Sequence, residues 1–398
     1  MSSKNRTNLR VERLETRWVP ASWNWTIASG SLTVTQATPA IGNEIQIDDA
    51  GNTFTLIDDT GAASTTTTTV INTTGISNVT LNLLGSDTVP VDYDLSGTRP
   101  GNLTINLNNG LPRAFDLNDD VSGTVGGNLR ITDGLGSTSV AIGGGGTFVQ
   151  VGGNLSVDLG LGADSLTIQN AQTFAGGNLD ARGAESITIT SSFIGGSTNI
   201  NNFGEINPGA ASFSATTFGG GFTYLGGNGA DDVTFTAGTA VGGFTYLNLM
   251  NQIGADSTSV VSVDTGSSLN GGLFLSGGNL GAETLTLDST SFINGSSVNV
   301  NLMGGDNVVN IEGALGGGFT GPSFSYNGGA GADSINFNPA IGSGRPRIFV
   351  NTGAGNDIFR LNTTNAFPTF VYANMGAGAD TVPPVVGPIG FPMIVINV

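Results

Sequence analysis

Histidine and cysteine are absent from this 398-residue chain, and Lys4 is its single lysine. Imidazole and thiol nucleophiles, His-ligated zinc and lysine bases are thereby excluded, which leaves the carboxylate as the group able to do chemistry. The acids recur in one setting, a Gly-small-acid step followed by alternating apolar residues. It reads Gly162-Ala163-Asp164-Ser165-Leu166, Gly183-Ala184-Glu185-Ser186-Ile187, Gly229-Ala230-Asp231-Asp232-Val233, Gly254-Ala255-Asp256 and Gly281-Ala282-Glu283-Thr284-Leu285. It continues as Gly304-Gly305-Asp306-Asn307-Val308, Gly331-Ala332-Asp333-Ser334-Ile335, Gly355-Asn356-Asp357-Ile358 and Gly378-Ala379-Asp380-Thr381-Val382. One member, Gly209-Ala210-Ala211, places Ala211 where the acid is expected. Two carboxylates suitably spaced suffice to hydrolyse a glycosidic bond, and Asp119-Asp120 and Asp231-Asp232 are adjacent pairs. Such neighbours are more simply turn or surface acids, so no catalytic residue is assigned.

The elements that carry these acids repeat. From Gly85 to Gly378 the step recurs twelve times in 293 residues, a mean interval near 24, and a period of that size means stacked coils. A second marker, glycine before an alternating strand, recurs as Gly127-Asn128-Leu129-Arg130-Ile131, Gly153-Asn154-Leu155-Ser156-Val157, Gly177-Asn178-Leu179 and Gly243-Phe244-Thr245-Tyr246-Leu247. Alternation such as Leu155, Val157 and Leu159 in, Ser156 and Asp158 out, is that of a half-buried strand. Two strands per coil are therefore expected. A stretch of variable length with an apolar residue, Phe148, Phe174, Phe193, Phe218 or Phe292, supplies a third side. Thr65 to Thr69 lies in the one oversized interval and reads as a surface loop. Charged residues are only 11% and hydrophobic ones 38%, so the 64 glycines serve turns, not a disordered chain.

This pattern resembles the parallel β-helix architecture. The resemblance implies an all-β fold, a single-stranded parallel β-helix (solenoid), right-handed, of about 13 coils of about 24 residues. At ~4.8 Å per coil the rod would be roughly 60 Å long. Residues 46–398 form the β-helix on this reading. Residues 18–45, with all three tryptophans at 18, 23 and 25 within or beside them, cap its first coil, and Phe391 to Val398 is its last strand. Asn102, Asn128, Asn154 and Asn178 follow glycine corners, where they either stack as an amide ladder or serve turns that need positive φ.

Charge divides the chain. The first 17 residues carry about +3, while the remainder, with seven arginines against 28 acids, carries about −21. Such a body repels phosphate backbones and anionic bilayers, so no nucleic-acid partner is expected. No apolar stretch is long enough for a transmembrane segment, because Pro383, Pro384, Pro388 and Pro392 break the most apolar tail. The run Leu9-Arg10-Val11-Glu12-Arg13-Leu14-Glu15-Thr16-Arg17-Trp18-Val19-Pro20-Ala21 resembles the VERLE-x-R-x-VP segment that opens exported proteins of planctomycete-type bacteria. That resemblance makes residues 1–17 a basic export or targeting segment and places the protein at the cell surface or outside the cell. The other reading is a basic amphipathic helix capping the rod.

Gly226-Gly227-Asn228-Gly229-Ala230-Asp231-Asp232-Val233-Thr234 and Gly328-Gly329-Ala330-Gly331-Ala332-Asp333-Ser334-Ile335-Asn336 resemble the GGxGxDxUx turn of the RTX family, which binds Ca²⁺. Here the turn recurs once per coil and not in nine-residue tandem. Stacking would still align Asp231, Asp256, Glu283, Asp306, Asp333, Asp357 and Asp380 in an axial column at ~4.8 Å steps. These seven are the candidate metal ligands, with Ca²⁺ as the cofactor that would offset their repulsion. The other reading is that each Asp bonds its own turn and keeps the rod soluble. β-Helical polysaccharide lyases pair such acids with a basic residue, and Arg345, Arg347 and Arg360 are the only body arginines close in sequence. The expectation is an exported structural or adhesive rod without catalysis, partnered by a surface glycan, a protein, or laterally by its own copies. The alternative is a carbohydrate-active β-helix using exposed acids and aromatics such as Tyr224 and Tyr246.

Overall fold

Leu155–Asp158 shows how each coil is built: Leu155 and Val157 are buried while Ser156 and Asp158 face outward. The chain then turns a glycine corner into Ser165–Gln169, turns again at Asn170, runs through the short Ala171–Thr173, and returns past Gly176-Gly177 to Leu179–Arg182. Leu179–Arg182 lies in parallel register on Leu155–Asp158, Leu on Leu and Ala181 on Val157. The computed structural model describes residues 22–38, 44–59, 66–84, 89–108, 113–117, 122–144, 146–202, 209–249, 258–264, 266–278, 281–294, 297–316, 323–338, 347–362, 370–384 and 393–397. The export-like segment 1–17, Trp18, Thr65, Asp119, Asp120, Asp256 and Arg345 lie outside them.

The result is an all-β parallel solenoid of about 11 turns of about 24 residues, slightly fewer than expected. Three sheets form its faces. Among the described residues the first has 16 strands, the second 15 and the third 10. Third-face strands are only two or three residues long, Phe193–Ile194 and Thr217–Phe218 among them. The core is one continuous column of stacked apolar side chains. Phe213, Phe218, Phe222 and Phe235 pack with centroids 5.0–5.4 Å apart, and the small Ala211 precedes Phe213 on the same buried face.

The N-terminal end departs from the repeat. Trp23–Ala28 and Ser31–Gln36 form an antiparallel hairpin, joined by Ser29 and Gly30, both at positive φ, as a primed two-residue turn requires. Glu44–Asp49, Thr53–Asp59 and Thr66–Asn72 form an antiparallel meander at the edge of the second face. This corrects the coil count and the loop reading together. Gly51 sits in the meander's first turn, and Thr66 to Thr69 belong to a strand. Ile45 pairs with Val91 and Leu32 with Val79, which starts the parallel stack. Asp49, Arg99 and Tyr93, all fully buried, tie the meander to the first coils. The Tyr93 hydroxyl donates to Asp49 Oδ2 at 2.9 Å, and Arg99 bonds both Asp49 oxygens and the Ile76 carbonyl. At the other end Met393–Asn397 pairs parallel with Phe370–Gly376, with a register shift after Asn374.

Candidate functional site

The acids gather at the corner that leads from the first face to the second. There each coil contributes one side chain directed into the wall, and ladder register fixes which one. In chain order the positions are Thr138, Asp164, Glu185, Gly209, Asp231, Ser259, Glu283, Asn307, Asp333, Asp357 and Asp380. All the side-chain-bearing members except Asp380 are buried; Asp231, Glu283 and Asp357 are fully inaccessible.

Backbone geometry explains why the position must be polar. The second-face strand starts here, and in seven coils the N–H of the column residue is met by the column side chain of the next coil; Gly209 instead donates to the Ala230 carbonyl at 3.0 Å. Asp231 N–H donates to Ser259 Oγ at 2.8 Å, Glu283 N–H to Asn307 Oδ1 at 3.0 Å and Asn307 N–H to Asp333 Oδ1 at 3.2 Å. Asp333 N–H donates to Asp357 Oδ1 at 2.8 Å and Asp357 N–H to Asp380 Oδ1 at 3.0 Å. Thr138 and Asp164 donate likewise to Asp164 and Glu185. A buried N–H left unpaired costs about 1–3 kcal/mol, so the column is a set of inter-coil clasps.

The glycines of the motif make room for it. A Cβ on Gly226 would come within 2.0 Å of Asp231 Oδ2, and one on Gly328 within 2.1 Å of Asp333 Oδ2. Gly209 occupies the column position itself, and a Cβ there would meet Asp231 Oδ1 at 2.6 Å and the Tyr224 hydroxyl at 2.7 Å. Tyr224 donates to Asp231 Oδ1 at 3.0 Å. Among the described residues the second oxygens of Asp231, Glu283, Asp333, Asp357 and Asp380 have no hydrogen-bond partner. Burial pushes the carboxyls of Asp231 and Glu283 up to about 7 and that of Asp333 up to about 6. The Tyr224 bond and the Gly278 N–H bond to Glu283, at 2.9 Å, oppose the rise without cancelling it.

Of the seven predicted ligands, five, Asp231, Glu283, Asp333, Asp357 and Asp380, do fall in one column. Asp306 does not. Gly304 bridges to Ala330, so Asn307 takes the inward place and Asp306 is exposed, accepting from Ala332 N–H at 2.7 Å. Asp256 lies outside the described residues, and the described residue in its coil's place is Ser259. Likewise Ala211 is a core residue beneath Val233, and Gly209 occupies that coil's place in the column. Calcium takes six to eight oxygen ligands. Among the described residues no group of three or more carboxylates gathers to hold a metal ion, and one oxygen of each column member is directed at a backbone N–H or a tyrosine hydroxyl. This donor set does not fit a calcium shell.

The catalytic alternatives come apart in the same way. Asp231 is buried whereas Asp232 points out, so the two do not face one site. Arg347 is exposed on the first face and Arg360 on the second. Tyr224, taken from the sequence as a surface aromatic, is fully buried because it sits two residues after the inward Phe222. Tyr246 does face outward and stacks on Phe274 at 5.1 Å, nearly parallel.

Two outer ladders accompany the column. Asn78, Asn102, Asn128, Asn154 and Asn178 stack, each Oδ1 accepting the backbone N–H of the corner residue one coil on, at 2.8–2.9 Å. None of them has positive φ. An amide-to-amide ladder, not foreseen, runs instead through Asn301, Asn327, Asn351 and Asn374 at 2.7–3.0 Å. Its signal in the sequence was Asn at one strand position in four successive coils. Compared with protein-family models, curated proteins and solved structures, the chain matches none. No described helix is long and apolar enough to cross a membrane.

Proposed function

We propose that this protein is an exported, non-catalytic rod of the cell surface or matrix, whose long faces adhere to a surface glycan, to a protein, or to further copies of the chain. The observation that carries this reading is the use of the carboxylates. They are turned into the wall, where Asp164, Glu185, Asp333, Asp357 and Asp380 clasp the preceding coil, which is a mechanical task, while the first-face exterior carries Asn, Ser or Thr on many of its strands. In this reading the coils are held by hydrogen-bonded carboxyls and not by calcium. The basic 1–17 segment, set against an acidic body, supports export through its resemblance to planctomycete-type leaders.

Expressing the tagged full chain in a planctomycete-type bacterium and shaving whole cells with protease tests the location. The tag is expected in the shaved fraction, and loss of residues 1–17 is expected to retain the protein inside. A full-length chain that stays in the cytosolic fraction sinks the export reading. Release of reducing ends from any polysaccharide by the purified protein sinks the non-catalytic one.

A further inference from the structure

The corner after the second face holds a groove that the clasp column does not use. It has a volume of about 640 Å³ and runs along the rod axis past Phe148, Asn170, Gln172, Ser191, Phe193 and Ala215. Asn170, Ser191 and Ala215 turn three successive coils at positive φ and form its floor, so the groove spans roughly 14 Å at ~4.8 Å per coil. A volume in this range is that of a small-molecule pocket.

Its chemistry is specific in what it lacks. In a protein of net charge −18, none of the ten lining residues is ionisable. Two phenylalanines, 45% and 39% exposed, stand at its borders, two coils apart by register. Between them lie the exposed Gln172 amide and the exposed Ser191 hydroxyl. Exposed rings have an electron-rich face that attracts the polarised C–H face of a sugar, and an amide with a hydroxyl supplies donors and acceptors for its hydroxyl groups. Asn170 is oriented by its own bond to the Gly144 carbonyl at 2.6 Å, which fixes that wall. An anion would find no cation here, and a cation no carboxylate. An apolar ligand would leave Gln172 and Ser191 without partners.

We infer that this groove binds an uncharged, linear oligosaccharide, laid along the rod axis with sugar rings on Phe148 and Phe193 and hydroxyl groups on Gln172 and Ser191. The site is independent of the clasp column and of the export reading, since a rod with an empty groove remains a rod.

Isothermal titration of the full chain with cellotetraose, mannotetraose and laminaritetraose, and with tetragalacturonate as a charged control, tests it. At least one neutral tetrasaccharide is expected to bind saturably at millimolar concentration or below, and the charged one not to bind. Phe148→Ala and Phe193→Ala are each expected to weaken binding about tenfold or more with an unchanged thermal melt, because both rings are outside the core. Phe148→Leu and Phe193→Leu keep the bulk and lose the ring face, and are expected to weaken it similarly. Absence of saturable binding by all three neutral sugars, equal binding of tetragalacturonate, or undiminished binding by the double alanine variant would each overturn the assignment.

Discussion

Replacing Asp333 by Asn distinguishes a structural carboxyl from a charged metal ligand. The site already holds the answer one coil away, since Asn307 fills the same position, accepts the Glu283 N–H through Oδ1 and donates through Nδ2 to Asp333 at 3.0 Å. An Asn at 333 can accept from Asn307 and donate to Asp357 in the same way. Burial raises the Asp333 carboxyl to about 6, against ~3.9 in an unfolded chain. The folded state therefore favours the protonated form. The stability this carboxyl contributes is fully present below about pH 4 and is lost as pH rises through about 6. Two units correspond to roughly 3 kcal/mol. Rearrangement of the corner around the charge reduces this to about 1–2 kcal/mol. Asn does not titrate. Asp333→Asn is thus expected to be near neutral at about pH 4 and stabilising by about 1–2 kcal/mol at about pH 8, a rise of a few degrees in Tm. Comparison with wild type at each pH removes the general repulsion of an acidic chain. The assay is a far-UV circular dichroism melt at both pH values, in EDTA and in millimolar Ca²⁺. A variant that loses more stability at high pH than at low pH would refute the reasoning. So would a calcium-specific rise in the Tm of wild type that the variant lacks.

Gly226→Ala is expected to cost about 2 kcal/mol or more by overpacking and to be largely rescued by Asp231→Ser, because the atoms its Cβ would strike all belong to Asp231; a chemical-denaturation series on the two single variants and the double reads this. Gly329→Ala would strike the Met303 carbonyl carbon at 2.4 Å and its oxygen nearer still, and no side-chain change is expected to rescue it. Arg99→Met leaves Asp49 charged and buried, with an expected cost of about 3–5 kcal/mol. Because coils of a solenoid respond to their neighbours, hydrogen exchange is expected to show the loss in residues 44–59 and 66–99 with Leu155–Asp158 still protected; uniform loss along the rod contradicts a local lock. Asn351→Ala interrupts the amide ladder and is expected to cost about 0.5–1.5 kcal/mol, and a melt indistinguishable from wild type argues that the ladder is ornamental.

The sequence by itself determined the repeat. Period, glycine corners and the in-out alternation of Leu155, Val157 and Leu159 were enough to place two faces of every coil, because one coil cannot bury its apolar side alone and must stack. It also located the corner at which the acids collect. It did not decide which residue of each corner turns inward. Asn307 and not Asp306, Gly209 and not Ala211, and Tyr224 inside the core all follow from ladder register, where a shift of one residue exchanges the two faces of a strand. Register is set jointly by the core phase of several coils of unequal length, which no local motif contains. The same holds for Asp49 with Arg99, far apart in sequence, and for Phe148 with Phe193, which share a groove only because the intervening coil brings them to one corner. Tertiary structure alone showed that Asp333, Asp357 and Asp380 clasp the preceding coil, because the N–H groups that these carboxylates serve come opposite them only once the coils are stacked.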